Sequence, residues 1–422
     1  MFPVSLHSLR ATLVAACAAT ALGASAQTGE PVKVGLLSTL SGPGAGLGVD
    51  IRDGFQLAVK LAGNKLGGRP AEIVVADDQA SPDVGRQTAD RLVKRDKVDF
   101  MTGIVFSNVM LAVGAPTFAA QTFYVSANAG PSQYAGEQCN PYFFSASYQN
   151  DNMHEAAGQV VQEKGFKRVA VIAPNYPAGK DAIAGFKRFY KGEIASEALP
   201  ALNQLNFGTE LSQLRASKAD AVYIFLPGGM GINFIKQFVA AGLSKDMTLF
   251  GPGFSGDEDV IKAVGEPMLG MFNTSQWGHD MDNAANKKFV AEFEKEYGRL
   301  PTLYAAQGYD AAQLINAAVR DTKGKLDDKA AVRKALEAAK FDSVRDTKGK
   351  LDDKAAVRKA LEAAKFDSVR GAFKFNSNHF PIQDYYLRVI TKDSKGRVTN
   401  RLMGAVLKKH ADAYVAQCKM PG

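Results

Sequence analysis

The sequence is poor in the residues that most often carry chemistry. Its 422 residues hold one tryptophan, five histidines and three cysteines. Four of the histidines, His154, His279, His379 and His410, stand far apart with no metal-ligand spacing. Each is read as a surface or capping residue, and neither a metal site nor a cofactor is expected. Three cysteines are too few for a disulfide-built mini-protein. Beyond residue 26, no apolar run approaches the roughly 18 residues that a membrane span needs. Lys+Arg 51 exceed Asp+Glu 43, a net charge of +8, but the excess is spread along the chain and no basic cluster is interleaved with aromatics. A nucleic-acid partner is therefore not expected. The charge supports only a weak bias toward anionic ligands or membrane-surface partners.

Two catalytic motifs are approached and missed. Gly42, Gly44, Gly46 and Gly48 follow a strand-like run, and Asp77 and Asp78 end the next one. A dinucleotide-binding loop needs G-x-G-x-x-G, and Val49 stands at its last glycine position. Gly253-Phe254-Ser255-Gly256-Asp257 departs from the nucleophile elbow G-x-S-x-G at its last residue. No catalytic residue is assigned, and the chain is not expected to be an enzyme.

The first 26 residues read as an export signal. Arg10 is the lone cation of residues 1–10, ATLVAACAATALG is the apolar core, and Ala24-Ser25-Ala26 meets the small-x-small rule for cleavage after Ala26. A buried amino-terminal helix is one alternative, and lipidation of Cys17 in Val14-Ala15-Ala16-Cys17 is another. Export implies an oxidising compartment. Cleavage leaves Cys139 and Cys418, which most simply form one disulfide tethering the carboxyl tail; two buried free thiols are the alternative.

Residues 319–343, VRDTKGKLDDKAAVRKALEAAKFDS, recur without change as residues 344–368. Two copies do not make a solenoid. Identity of this kind points to a recent duplication or a flaw in the gene model, so one copy is expected to pack and the other to be extruded. Without leader and duplicate, roughly 370 residues remain, enough for two domains of ~150 residues each.

The body alternates short apolar runs with amphipathic stretches. VKVGLLS, EIVVADD, VDFMTGIV and TFYVSAN form one series; RVAVIAPN, DAVYIFLP, TLFGPG and GMFNTSQ form a second. Near-continuous apolar strands alternating with helices predict an α/β protein of two doubly wound parallel-sheet lobes. Residues 380–406 read as a β-hairpin turning at Ser394-Lys395-Gly396. In such sheets ligands sit beyond the carboxyl ends of strands. The strand ends here are small and polar: residues 38–43, Ser107-Asn108 and residues 126–132. Several of them lead into helices whose amino termini suit a carboxylate.

The ordered series "VKVGLLSTLSGPGAGLG", "TGIVFSN", "SANAGPS", "PNYPAGKDAIAGFKR", "FLPGGMG" and "GYDAAQLINAAV" resembles the type I periplasmic binding proteins, more narrowly the leucine/isoleucine/valine-binding branch of ABC-importer receptors. The resemblance covers about residues 31–405 apart from the extra repeat copy. It implies two lobes joined by three crossovers, near residues 145–148, 275–278 and 378–383. Lobe 1 would comprise residues 27–146 and 277–380, and lobe 2 residues 147–276 and 381–422. The implied partners are a small carboxylate ligand and an inner-membrane permease and ATPase, the receptor itself being a monomer.

The resemblance also implies a site. Ser107, Asn108, Asn128, Ala129 and Gly130 would hold a carboxylate through hydroxyl and main-chain N–H groups. Leu47 would lie over the ligand, with Tyr176, Leu226 and Tyr304 as walls. The sequence departs from the family's pattern at Gly253: amino-acid receptors of this branch carry an acid there, to pair with the ligand ammonium. A buried ammonium with no counter-charge is costly. An aromatic or aliphatic carboxylate without an amino group is therefore favoured, with Phe254, Trp277 and Tyr304 as walls. A branched-chain or other amino acid whose ammonium is met elsewhere, and a sensory rather than an importing receptor, are the alternatives.

Overall fold

The computed structural model describes residues 30–322, 326–338, 368–371 and 373–420. The leader, the cut after Ala26 and all of the second repeat copy except Ser368 lie outside the described residues.

The first lobe grows from its apolar runs. β1 (Val32–Ser38) is the uninterrupted run VKVGLLS, and all but one of its residues are buried, as in a strand covered on both faces. Gly67 and Gly68, with φ of 57° and 86°, turn the hairpin between β2 (Lys65–Leu66) and β3 (Arg69–Asp77). β4 (Phe100–Thr102), β5 (Phe123–Ser126) and β6 (Phe143–Ser145) complete a sheet ordered β2-β3-β1-β4-β5-β6, parallel apart from that hairpin. α1 (Ala45–Leu61), α2 (Pro82–Lys94), α3 (Ser107–Ala119) and the short α4 (Ser132–Ala135) follow β1, β3, β4 and β5. Ser81 caps α2, its Oγ accepting from Val84 N–H, and Pro82 opens the first turn.

The chain then enters the second lobe through α5 (Asn152–Glu163), β7 (Arg168–Ile172), α6 (Pro177–Phe189), β8 (Glu193–Ala198), α7 (Gly208–Ser217), β9 (Ala221–Ile224), α8 (Gly229–Ala240), β10 (Thr248–Pro252), α9 (Glu258–Val264) and β11 (Phe272–Ser275). It returns to lobe 1 for α10 (Ala284–Tyr297), α11 (Leu303–Asp321) and α12 (Lys329–Ala338). After β12 (Lys374–Phe375), a long hairpin of β13 (Pro381–Lys392) and β14 (Val398–His410) closes lobe 2, with Gly396 at φ 75° in its turn. This sheet runs β13-β11-β10-β9-β7-β8, with the two-residue β12 paired to the first residues of β13 beside Phe144 of lobe 1. It is parallel from β11 to β8 and antiparallel where β13 joins, so the expected parallel lobe is a mixed sheet.

The chain crosses between lobes three times, through residues 146–151, 276–283 and 376–380. The third crossing lies along the edge of lobe 1, where Ser145 N–H donates to His379 O at 3.0 Å. Arg370 binds the crossings together. Its Nε donates to Asp310 Oδ2 of α11 at 2.9 Å, and its other nitrogens reach Ala146 O and Ser147 O in the first crossing and Gln383 Oε1 just past the third.

α1 and α11 pack with their backbones in contact, and two glycines permit it. A Cβ at Gly54 would stand 1.9 Å from Ala305 O, and one at Gly308 would stand 2.1 Å from Ile51 O. Neither position accepts any other residue without parting the helices.

Cys139 and Cys418 form a disulfide, which selects the paired reading over two free thiols. The bond ties the tail after β14 to lobe 1, while Tyr414 in the same tail donates to Asp151 Oδ2 at the start of lobe 2.

The first repeat copy packs through α12, where Val332, Ala335 and Leu336 are buried and Glu337 Oε1 meets His379 Nε2 at 2.9 Å. The described chain resumes at Ser368, whose Oγ donates to Asp310 Oδ2 at 2.6 Å. Deleting residues 344–368 joins Ser343 to Val369 and so supplies an identical serine at that position. The shortened protein is expected to melt within about 2 °C of the full chain and to bind ligand equally well. A large loss of either, by calorimetry, would mean that the second copy is part of the fold.

Candidate functional site

The lobes meet around a narrow pocket that its own side chains largely fill. Lobe 1 contributes Val105, Phe106 and Ser107 from the β4–α3 junction, Asn128 after β5, and Tyr304 on α11. The first crossing contributes Tyr148 and Asn150. Lobe 2 contributes His154 on α5, Tyr176 and Ala178 at the start of α6, Phe225 and Pro227 after β9, and Phe254 after β10.

The walls are a chain of aromatic rings that runs across the lobe boundary. Phe106 meets Tyr176 edge-on at 6.1 Å between centroids; Tyr176 stacks on Phe225 at 6.3 Å, and Phe225 tilts against Phe254 at 5.7 Å. Phe254 in turn meets Tyr148 at 5.3 Å and Tyr304 at 5.6 Å. Burial pushes the phenols of Tyr148, Tyr176 and Tyr304 far up, so all three stay neutral. Among the described residues, no Asp, Glu, Lys or Arg lines the cavity.

The polar groups are few and held in place. Asn150 Nδ2 donates to Ser107 Oγ at 3.1 Å and to Asp181 Oδ2 at 2.9 Å, and its Oδ1 accepts from Gly130 N–H at 3.0 Å. Ser107 Oγ thus accepts one bond and keeps its own hydrogen for an acceptor in the cavity. Ser107 also opens α3, whose cap residue Phe106 supplies no side-chain cap, so the first N–H groups and the positive end of the helix are left for an anion. Asn128 is held on both sides, its Oδ1 accepting from Tyr148 OH at 2.9 Å and its Nδ2 donating to Val105 O at 2.7 Å. Asp181, behind Asn150, is committed to protein donors: Ser132 Oγ at 2.7 Å, Ser132 N–H at 3.1 Å and Asn150. Because Ser132 belongs to lobe 1 and Asp181 to α6, these bonds latch the closed lobes. Burial raises the carboxyl of Asp181, and burial together with the nearby Asp181 pushes that of Asp151 up to about 7.

Of the residues read from sequence, Ser107, Asn128, Tyr176, Phe254 and Tyr304 come together in the cavity. Leu47 is outside the lining; it packs across the lobe boundary, where a Cβ at Gly228 of lobe 2 would be 3.4 Å away. Asn108 is one residue into α3, and its Oδ1 is shielded without a partner among the described residues. Ala129 and Gly130 do not offer free N–H groups, because the first donates to Ile104 O at 3.4 Å and the second to Asn150. Leu226 belongs to the lobe 2 core, while Phe225 and Pro227 on either side of it line the cavity. The alternation of side chains along an extended segment puts neighbours on opposite faces, and the reading was out by one. Gly253 lies behind Phe254, against Leu303 and Arg388. Trp277 is buried away from the cavity against Phe289, its Nε1 donating to Asn286 Oδ1 at 2.7 Å. His154, read as a surface or capping residue, is a buried member of the lining, and His379 is buried as well. The aromatic neighbours Phe106, Tyr148 and Phe225 carried no signal beyond their places at strand ends and in the first crossing.

Residues 31–351 match the family model described as periplasmic binding protein. A Leu/Ile/Val-binding protein homolog 6 from Brucella melitensis is 30% identical over 333 residues, covering 77% of this chain and 84% of that protein. The solute-binding protein of an ABC transporter from R. palustris, solved in complex with benzoate, superposes with a TM-score of 0.82 at 31% identity, over 92% of this chain and 99% of that one. Another from Rhodopseudomonas palustris BisB5, in complex with 3,4-dihydroxy benzoic acid, gives 0.79 at 28% identity, over 91% and 99%.

Proposed function

The chain belongs to the periplasmic binding protein family, in its leucine/isoleucine/valine-binding branch, and from that premise we propose that it captures a small aromatic carboxylate lacking an ammonium group. The observation that carries this reading is a cavity walled by aromatic rings and, among the described residues, lined by no charged side chain. The carboxylate sits at the amino end of α3, where the Ser107 hydroxyl and the free N–H groups of the first turn receive it. The ring lies among Phe106, Tyr176, Phe225 and Phe254, and removing one aromatic ring from water is worth about 2–3 kcal/mol. Closure brings the two lobes' contributions together: the Phe106–Tyr176 contact and the Ser132–Asp181 bonds both join lobe to lobe.

The family's compartment is the periplasm, and we place the protein there after cleavage behind Ala26. It acts as a monomer that delivers its ligand to an ABC permease and ATPase pair. Aromatic-acid complexes of similar receptors support this reading. A second reading, an amino-acid receptor, is favoured by the names of the Leu/Ile/Val-binding homologues. It lacks a counter-charge in the cavity, since Asp181 is already taken by three protein donors.

Isothermal titration of the mature protein with benzoate, 4-hydroxybenzoate, 3,4-dihydroxybenzoate, leucine, isoleucine and valine tests the reading. One or more of the aromatic acids is expected to bind with Kd of about 1 μM or tighter, a free energy near −8 kcal/mol. Binding of the branched-chain amino acids alone would overturn it.

A further inference from the structure

The lobe 2 wall carries a polar group that the carboxylate site does not use. His154 is fully surrounded by protein and cavity, with its ring edge-on to Phe225 at 4.9 Å. Its Nδ1 is in short hydrogen-bond contact with the Tyr223 hydroxyl. Burial holds the imidazole neutral, its pKa pushed down to about 3, and keeps the Tyr223 phenol protonated. A neutral imidazole has one N–H. If it stood on Nδ1, the buried hydrogen of Tyr223 would be left with no acceptor among the described residues. With Tyr223 donating to Nδ1, both groups are satisfied and the proton resides on Nε2. Nε2 has no other partner among the described residues, and the ring lines the cavity.

We propose that His154 is a specificity-determining residue whose Nε2–H donates to an oxygen substituent on the ring of the ligand, so that the cavity selects hydroxylated or otherwise oxygen-bearing aromatic acids over unsubstituted ones. The proposal rests on the functional reading above and adds to it a second polar contact, entering from the lobe that faces Ser107. A neutral donor suits a neutral phenol, ether or carbonyl oxygen; a site for a second carboxylate would be expected to supply a charge. A ligand without the oxygen leaves a buried N–H unpaired, and sites built this way discriminate strongly against the analogue that lacks the partner.

The test is titration calorimetry of wild type, His154→Phe and His154→Gln with benzoate, the three monohydroxybenzoates and 4-methoxybenzoate. Wild type is expected to prefer at least one oxygen-bearing acid over benzoate by about tenfold or more. His154→Phe is expected to abolish that preference, read as the ratio of the oxygen-bearing acid's affinity to that of benzoate in the same variant, whatever the change in benzoate affinity itself. His154→Gln, which keeps an N–H donor, retains part of the preference. Equal losses for benzoate and the hydroxylated acids in His154→Phe would place His154 on the carboxylate or in the fold and overturn the proposal, as would a preference that survives the substitution. Wild type binding benzoate with no gain from any ring oxygen overturns this proposal alone. Wild type binding no aromatic acid overturns the functional reading and this proposal with it.

Discussion

Replacing Arg370 with methionine is expected to destabilise the protein by about 3–5 kcal/mol, the usual cost of removing one partner from a buried ion pair. Arg370 and Asp310 have side chains only 2% and 5% exposed, so the carboxylate left behind cannot recover its solvation. The guanidinium also satisfies the carbonyls of Ala146 and Ser147 and the amide oxygen of Gln383. Gln383 in turn donates to Ser147 O and to Tyr385 OH, and Tyr385 donates to Asn152 Oδ1 at the start of α5. One side chain therefore joins α11 of lobe 1 to the first crossing and to the root of β13. Its loss exposes buried acceptors on both sides of the hinge. Thermal unfolding should show a fall in Tm of roughly 4–6 °C. Adding Asp310→Leu to Arg370→Met should return part of the loss, because the unpaired charge is then gone. An Arg370→Met protein that melts with wild type would show that this bracket contributes nothing to the fold.

Much of the fold was legible because its strands are buried on both faces. Runs such as VKVGLLS and RVAVI have no polar alternation to confuse with a helix, and the structure places strands at Val32–Ser38 and Arg168–Ile172. β8 was missed for the opposite reason. Glu193–Ala198 is an edge strand, EIASEA, mostly half-buried, and its charge follows from having only one neighbour. The hairpin was anticipated from Ser394-Lys395-Gly396, although its second strand runs on to His410.

The candidate site was legible where chain position alone decides it. Ser107 and Asn128 stand at strand ends, and the fold carries strand ends to the cleft. What could not be read was the set of long-range hydrogen bonds. Asn150 takes the Gly130 N–H from 20 residues away and binds Ser107 from 43 away, which turns an expected ligand donor into a structural one and orients the other. The inward face after β9 depended on a one-residue phase, and Leu226 drew attention that belonged to Phe225 and Pro227. His154 has polar and charged neighbours in Asn152 and Glu155, so nothing local marks it as buried; its place follows from packing against Tyr223 and Phe225. The glycine at 253 was read for the acid it lacks, but it lies behind Phe254, outside the lining, and a side chain there would meet Leu303 and Arg388.

The central claim is that the cavity takes a carboxylate and has no provision for an ammonium. Phenylacetate and phenylglycine differ only by that group and carry the same ring and carboxylate. Competitive titration calorimetry of the mature protein against the tightest-binding aromatic acid compares them directly. The account predicts that phenylacetate displaces the acid and that phenylglycine binds at least ~100-fold more weakly, about 2.8 kcal/mol, because its ammonium would be desolvated with no anion to meet it. Phenylglycine binding as tightly as phenylacetate, or more tightly, would contradict it.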